Sequence, residues 1–268
     1  MRFLFSFLCC LLTCAAWGQR VGGQMQMGGR FQMGYSAASG GGGANIVADF
    51  WQTFEFATLT TGNLDANDNI GTGTWTITDA GSSLSISTSG SQHTTSTVNG
   101  TADTGTRGMA INCTAAATAR IEYDSATTHS DLTMSCWYFT PTIGNFDSDE
   151  FMGILGGSSH YASFGQGGGT TTRYIQWLAA GSGTITVTAG QWYWVTMQLS
   201  QAGTCSLSVY NASGTQVGST ITKAATGIAM DQFVWGAILA PSASGASPTA
   251  YLDNCVIDWT HNTFPLGP

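Results

Sequence analysis

Residues 190–200, GQWYWVTMQLS, alternate in a way that decides the fold. One face of the extended chain would carry apolar side chains: Tyr193, Val195, Met197 and Leu199. The other face would mix large rings with polar groups: Trp192, Trp194, Thr196 and Gln198. Alternation with a period of two, rich in aromatic and β-branched residues, is a strand signal. We therefore expect a strand with its first face on the core and two tryptophans pointing away from it.

A second stretch, LTMSCWYF at residues 132–139, has the same two-faced pattern. The side expected to face the core carries Leu132, Met134, Cys136 and Tyr138. The opposite side carries Ser135, Trp137 and Phe139. Both strands thus present large rings on the face away from the core, and in a sandwich such a second face can be concave.

The rest of the chain from residue 45 continues in short alternating runs separated by Gly, Asn, Ser and Thr. No window shows a capped helical stripe. About fifteen strands are predicted, at residues 54–58, 74–78, 84–88, 108–113, 119–123, 132–139, 151–155, 161–166, 174–178, 183–187, 192–199, 205–210, 215–220, 232–238 and 251–258. This pattern predicts one all-β antiparallel sandwich over residues 45–268, a size that such domains reach without splitting.

The N-terminal part has a different composition. Residues 1–18 are predicted to be a signal peptide, because an apolar run too short to span a bilayer precedes the small-x-small triplet Ala16-Trp17-Gly18. Residues 19–44 are rich in Gly, Gln and Met, and a segment of that kind buries too little apolar surface to offset the entropy of ordering it. We expect a flexible arm there, and a protein that is secreted to the extracellular space or the cell surface.

Charge is scarce and acidic. Only 8% of residues are charged, with 7 Lys and Arg against 15 Asp and Glu, for a formal net charge of −8. Nucleic acids and anionic membranes both require a basic face, so neither is expected as a partner. No stretch after the signal peptide is long and apolar enough for a membrane helix. A surface of Ser, Thr, Asn, Gln and Gly is common in secreted β-proteins.

Four cysteines remain after removal of the signal peptide: Cys113, Cys136, Cys205 and Cys255. An even number in an oxidising compartment permits two disulfides, in three pairings. The alternative is that some are buried free thiols, since each lies in an apolar alternating segment.

Residues 190–220, GQWYWVTMQLSQAGTCSLSVYNASGTQVGST, resemble the central stretch of concanavalin A-like, laminin-G-like jelly rolls. In that family a Gly-x-Trp opening precedes an apolar strand, a turn, and a strand that ends in a small hairpin. LTMSCWYF is similar to the family's earlier strand with a buried tryptophan, TAYLDNCVIDW (249–259) to its terminal strand, and FWQTFEF (50–56) to its first strand. The resemblance implies an antiparallel two-sheet jelly-roll sandwich.

The same resemblance implies a structural calcium ion. Several jelly-roll families join an acidic residue of the first strand to one of the last strand through Ca²⁺, a cation that prefers oxygen ligands. In this chain Glu55 and Asp253 would take those roles, with Asp49 as a third candidate. The alternative is that Glu55 and Asp253 accept hydrogen bonds from the backbone where the terminal strands meet.

Glycan binding is the chemistry that the aromatic residues favour. Sugars stack their C–H groups on aromatic faces, while amides and carboxylates bind their hydroxyls. The predicted ligand-binding residues are Trp137, Tyr161, Trp177, Trp192 and Trp194, with Asn145, Gln176 and Gln198 as polar neighbours. The alternative for each tryptophan is packing in the core.

The sequence gives weaker support for a catalytic site than for a glycan-binding site. Asp253 and Asp258 are five residues apart, so in a continuous strand they would face opposite sides, some 16 Å apart at about 3.3 Å per residue. NFDSDEF, with Asp147, Asp149 and Glu150, is interpreted as an acidic turn. His160, Tyr161 and Arg173 would suit a polysaccharide lyase if a hairpin brought them together.

These observations predict a secreted, non-catalytic module that binds glycans or other extracellular polymers. A structural or adhesive surface protein that self-assembles, as a homo-oligomer, is the alternative from a different class. A divergent polysaccharide lyase or glycoside hydrolase is the second alternative.

Overall fold

The computed structural model describes the chain from residue 45 onward in segments. These are residues 45–54, 62–63, 74–78, 84–87, 97–102, 107–112, 119–141, 146–156, 159–168, 173–177, 183–200, 204–224, 230–237, 249–261 and 264–267. The predicted signal peptide and the arm at residues 19–44 lie outside them, so both stay predictions. Within the described segments, no helix is long and apolar enough to cross a membrane.

The described segments form an all-β structure. Its strands are β1 (Asn45–Ile46), β2 (Phe50–Gln52), β3 (Gly62–Asn63), β4 (Thr74–Thr78), β5 (Leu84–Ser87), β6 (Thr97–Val98), β7 (Thr101–Ala102), β8 (Gly108–Asn112), β9 (Ala119–His129), β10 (Asp131–Phe139), β11 (Phe146–Gly156), β12 (Ser159–Gly168), β13 (Arg173–Trp177), β14 (Thr184–Val187), β15 (Trp192–Ser200), β16 (Thr204–Asn211), β17 (Ile221–Ala224), β18 (Met230–Ala237) and β19 (Thr249–Asp258).

Two large antiparallel sheets make up the jelly-roll sandwich, as predicted. The larger sheet has the order β17-β16-β15-β10-β19-β8-β5-β3, with β2 paired to the end of β19. The smaller has the order β14-β13-β12-β11-β18-β9-β4. Rings from both sheets meet in one core, for example Tyr138 of β10 and Phe151 of β11, whose centroids are 5.5 Å apart. A small third sheet, β1-β6-β7, lies near the N-terminal end of the described chain.

The two faces predicted for β15 and β10 are confirmed. The main core takes the alternating residues Leu132, Met134, Cys136, Tyr138, Tyr193, Val195, Met197 and Leu199. Trp137 and Trp194 belong to a separate cluster on the other face of the same sheet, which we call the outer cluster. The alternation therefore assigned the inner and outer sides of both strands correctly.

The outer cluster buries part of the outer face of the larger sheet beneath the two ends of the described chain. Ile46 and Ala48 cover it from the N-terminal side, and Leu266 covers it from the C-terminal side. The fit is close, since a Cβ atom added at Gly267 would lie 2.8 Å from Ile46. The outer face that the sequence predicted is thus partly covered.

A β-bulge interrupts the pairing of β19 with β10. Ser135 pairs with Val256 and Trp137 with Asp253, so one residue of β10 faces two residues of β19. Asn254 has a positive φ of 49°, a conformation that asparagine adopts more readily than most residues. Its Oδ1 accepts a hydrogen bond from Trp51 Nε1 at 3.0 Å, which connects the bulge to β2.

The strand predicted at residues 215–220 needs correction. Residues 215–220 are irregular: they follow a turn at residues 211–214 and carry an isolated bridge between Tyr210 and Gln216, and the strand begins at Ile221 instead. Asn211 closes this turn, because its Oδ1 accepts hydrogen bonds from the backbone N–H groups of Ser213 and Thr215 at 3.1 and 2.9 Å. Local side-chain bonds of this kind compete with strand pairing.

The described cysteines are free thiols. Cys136, Cys205 and Cys255 are all buried and unbridged, and Cys113 lies outside the described residues. Two disulfides among the four cysteines are therefore excluded in this structure, and the buried-thiol alternative holds for these three. Burial, followed by contact with the Cys136 thiol, raises the pKa of the Cys255 thiol well above its usual value, which makes the reactive thiolate scarce.

Candidate functional site

Three aromatic rings form a row across the outer face of the larger sheet. Phe139, the last residue of β10, pairs with Trp192 of β15 on one side and with Tyr251 of β19 on the other. The ring centroids are 5.1 Å apart for Phe139–Trp192 and 5.8 Å apart for Phe139–Tyr251. All three side chains are half-buried, with part of each ring open to solvent. We call these three residues the aromatic row.

The alternation of each strand explains why the row forms. Residues two apart in a strand point to the same face, so Trp192 shares the face of Trp194 and Phe139 shares the face of Trp137. Tyr251 lies on this face as well, because it pairs with Phe139. The row thus lies one step along the strands from the outer cluster. It is the open continuation of a buried aromatic layer.

Two of the predicted ligand-binding residues belong to that buried layer. Trp194 exposes 0% of its surface and Trp137 exposes 2%, and their rings pack edge to face with centroids 5.2 Å apart. Trp194 Nε1 donates a hydrogen bond to the carbonyl oxygen of Leu266 at 2.6 Å. Neither ring is open to a ligand in this structure, so for these two tryptophans the core-packing alternative holds.

Two more of the five predicted residues lie on the smaller sheet. Tyr161 is in β12 and Trp177 is in β13, where Trp177 pairs with Phe164. Their side chains lie outside the described part of the structure. The backbone alone shows that the five predicted residues do not form one platform, because Trp192 is on the larger sheet. Of the five, Trp192 is the one found in the aromatic row.

Phe139 and Tyr251 are the members of the row that the sequence did not single out. The alternation already placed Phe139 on the outer face, but it contained no information about which strands neighbour β10. Tyr251 lies beyond the bulge, so its face could not be read by counting back from the strand's end. A search for aromatic residues at the ends of predicted strands, whichever face they occupy, would have found both.

The bulge also changes the relation between Asp253 and Asp258. Asp253 pairs with Trp137 and Asp258 with Thr133, and these partners are four residues apart on β10. The two aspartates therefore share the outer face, and the prediction of opposite faces is wrong. They remain unsuited as a catalytic pair, because four residues of strand separate them by about 13 Å, whereas paired carboxyls in glycosidases are about 5–9.5 Å apart.

The lyase-like group His160, Tyr161 and Arg173 is not assembled by its hairpin. The β12–β13 hairpin exists, but Gly167 pairs with Tyr174, so Arg173 lies near the turn. His160 pairs with Leu155 at the opposite end of β12. Seven residues of strand separate His160 from Gly167, or about 23 Å.

Residues 146–151 of the NFDSDEF segment are part of a strand, so the interpretation of this segment as a turn is wrong. Asp149 pairs with Gln166 and Glu150 with Gly165 inside β11. The pairing is irregular on both sides of this segment, with register shifts between Phe146 and Asp149 and between Glu150 and Met152. Polar residues at irregular points of a strand resemble a turn in sequence.

Another pair of carboxylates shares a face of β9. Glu122 and Asp124 are two residues apart in a regular part of the strand, which pairs with Thr76 and Thr74 of β4. Arg120 Nη2 lies 3.1 Å from Glu122 Oε2. Burial is the largest influence on Glu122 and raises the pKa of its carboxyl; Arg120 lowers it and Asp124 raises it. The sequence alone did not single out this Glu-x-Asp pair.

The predicted calcium ligands do not form a described site. Glu55 lies outside the described residues, while Asp253 is fully buried and its Oδ1 accepts the Asn254 N–H at 2.7 Å. The described residues contain no group of three or more His, Cys, Asp or Glu that could hold a metal ion. The calcium site with Glu55 and Asp253 therefore stays a prediction.

Asp49 connects the two ends of the described chain by hydrogen bonds. Its Oδ2 accepts the backbone N–H groups of Trp259 and Thr260 at 2.8 and 2.7 Å, and its Oδ1 accepts the Thr260 hydroxyl at 2.7 Å. Next to it, His129 stacks on Trp259 with ring centroids 4.5 Å apart. Burial lowers the pKa of His129, while the negative charge of Asp49 opposes that shift.

Comparison with known proteins gives structural likeness without a family. No protein-family model matches the chain, and no curated protein matches it. Among solved structures the chain is similar to the cellulose-induced protein Cip1, with 17% identity, a TM-score of 0.49, and coverage of 79% of this chain and 98% of that one.

Two lyases are similar at lower scores. An endo-β-1,4-glucuronan lyase from the fungus Trichoderma reesei has 12% identity and a TM-score of 0.46, with 80% of this chain and 96% of that one covered. An alginate lyase from Klebsiella pneumoniae has 5% identity and a TM-score of 0.45, with 58% of this chain and 82% of that one covered. At these values the functional proposals must rest on the residues of this chain.

Proposed function

We propose that this protein is a non-catalytic module that binds glycans through the aromatic row Trp192–Phe139–Tyr251. The observation that carries the proposal is the row itself: three neighbouring rings, half-exposed, on three adjacent strands. Aromatic rings that share an exposed edge or face offer a sugar the C–H stacking surface that its apolar side requires. A contiguous apolar patch on an otherwise polar surface is typical of an interaction site.

The packing of the aromatic row favours binding, because it limits the conformational entropy that the rings lose when a ligand binds. The backbones of the three residues are held in register by the pairs Phe139–Trp192 and Phe139–Tyr251, and neighbouring rings pack against each other. Beside the row lies the outer cluster, which contains the fully buried Trp194 and against which Trp192 packs. Rigid rings lose little conformational freedom when a ligand is bound, so most of the contact energy remains available as affinity.

Trp192→Ala is expected to weaken glycan binding about tenfold or more. A central aromatic anchor contributes about 2 kcal/mol or more in a binding site, and 1.4 kcal/mol corresponds to a factor of ten. A glycan array followed by calorimetry on the best ligand measures the change. The matched control is Trp259→Ala, which removes another half-buried tryptophan from a site that stacks on His129.

The control should bind like the wild type. Unchanged binding by a folded Trp192→Ala variant would contradict the proposed site, and absence of binding to any glycan would contradict the function. Circular dichroism on each variant separates loss of the site from loss of the fold.

An extracellular polymer is the partner that suits this site. The predicted signal peptide directs the chain out of the cell, where polysaccharides are abundant, and the acidic composition disfavours nucleic acid. The self-assembling alternative depends on residues 19–44, which lie outside the described segments, so it stays a prediction.

Glycoside hydrolysis is a second candidate, favoured by Glu122 and Asp124. The Cα atoms of residues two apart on one strand face are about 6.6 Å apart. This spacing is near the separation of about 6.5–9.5 Å between the carboxyls of inverting glycosidases. The raised pKa of Glu122 suits a general acid, and Asp124 would activate water as the base.

Glu122→Gln distinguishes this candidate from the binding module. If the pair is catalytic, the wild type releases reducing ends from a soluble β-glucan and the variant loses at least about 99% of that rate, since proton transfer contributes about 10²–10⁴-fold. Asp131→Asn, at the start of β10, is the matched loss of a carboxylate elsewhere. Absence of release by the wild type from every polysaccharide tried would leave Glu122 as the ion-pair partner of Arg120.

A further inference from the structure

We infer that the aromatic row takes a single, uncharged glycan chain, and neither a crystalline polysaccharide face nor a polyuronate. This inference rests on the proposed function and specifies the ligand of the same site. Two independent features carry it: the angles between the three rings, and the charges on the strands around them.

The ring angles exclude simultaneous contact with a flat surface. The planes of Phe139 and Trp192 differ by 37°, and those of Phe139 and Tyr251 differ by 55°. A crystalline face is planar, so it could stack on one ring while meeting the next ring at its edge. A single chain can turn about each glycosidic linkage and so present successive sugar faces at different angles. The row therefore matches an isolated, twisted chain.

The length of the row suits a short segment of such a chain. The centroid steps of 5.1 and 5.8 Å are each about the length of one sugar unit in an extended chain. Three rings would thus contact two or three consecutive sugars.

The charges near the row disfavour acidic chains. In the described residues, the strands that carry the row and their immediate neighbours, β16, β15, β10, β19 and β8, contain no Lys or Arg. Of their acidic residues, Asp131 and Asp258 lie at the ends of β10 and β19 that are far from the row, and Asp253 is fully buried; Arg107 directly precedes β8. Recognition of a carboxylate usually uses Arg or Lys, and the whole chain carries a formal net charge of −8. An uncharged chain requires no such cation.

Affinity electrophoresis of the full chain tests the inference. The gels contain hydroxyethylcellulose, glucomannan or xyloglucan as soluble neutral polymers, and alginate or polygalacturonate as acidic ones. Microcrystalline cellulose is tested by depletion from solution. We expect retardation by at least one neutral polymer, abolished in Trp192→Ala and insensitive to salt, with no retardation by the acidic polymers and no depletion.

The outcomes separate this inference from the proposed function. Retardation by alginate or polygalacturonate that Trp192→Ala abolishes would overturn the inference while supporting the function, as would depletion by microcrystalline cellulose lost in the same variant. Absence of binding to every polymer would overturn both. Concentration-dependent self-association lost in Trp192→Ala would assign the row to a second copy of the chain and overturn both as well.

Discussion

Trp194→Ala is expected to lower the free energy of unfolding by about 3–5 kcal/mol, the usual cost of deleting a large buried ring. Trp194 exposes 0% of its surface and packs against Trp137 in the outer cluster. The substitution also removes the donor of the 2.6 Å hydrogen bond to the Leu266 carbonyl, and it leaves that oxygen without the indole N–H. Both effects act on the contact that holds residues 264–267 against the sheet.

Denaturant titration measures the loss in the free energy of unfolding, and two further variants show which interaction causes it. Trp194→Phe keeps most of the apolar volume while deleting the indole N–H, so its loss should be smaller and should report the hydrogen bond. Trp192→Ala, two residues earlier on the same face but half-exposed, should cost much less stability while weakening glycan binding. If Trp194→Ala destabilised the protein no more than Trp192→Ala, the outer cluster would not be a core.

Asp49→Ala is expected to lower the free energy of unfolding by about 2–3 kcal/mol, or roughly 5–10 °C in Tm. The carboxylate accepts three hydrogen bonds of 2.7–2.8 Å, two from backbone N–H groups and one from the Thr260 hydroxyl. Hydrogen bonds to a charged group contribute about 1.5–3 kcal/mol each in partly buried positions. Their exposure here reduces the sum, because water replaces part of each bond.

Asp49→Asn is the matched control, since the amide keeps one acceptor oxygen in nearly the same volume. It should lose about half as much as Asp49→Ala in a thermal melt. Because the three donors are N–H and O–H groups, a chelator should leave the difference between wild type and Asp49→Ala unchanged. A difference that disappears on chelation would instead assign Asp49 to a metal ion.

The parts of the fold that depend on local alternation were predictable, and the parts that depend on register were not. Residues 132–139 and 192–199 each reveal their two faces because a strand has a period of two, whatever its neighbours are. The bulge at Asn254 left no comparable signal in TAYLDNCVIDW. An inserted residue becomes visible only when the partner strand is known, so Asp253 and Asp258 were assigned to opposite faces.

The candidate site was predictable in kind and only partly in membership. Trp192 was found because it lies on the outward face of its strand. Trp137 and Trp194 share that face and were selected for the same reason, but residues from both ends of the described chain cover them. Covering of this kind is a long-range contact, and no periodicity within a strand reports it. Phe139 and Tyr251 became relevant through strand pairing, which alternation does not specify.

The single extra residue in β19 sets the phase of that strand. Upstream of Asn254, Tyr251 lies outward beside Phe139 while Leu252 lies inward opposite Tyr138; downstream, Val256 lies outward and Ile257 inward. If β19 kept Asn254 but paired regularly with β10, one half of the strand could stay in phase only if the other half were inverted, since a shift of one residue exchanges the two faces. Restoring regular pairing would then turn Tyr251 into the core and Leu252 out to solvent. The surface that we assign to the ligand thus depends on a one-residue irregularity in the backbone.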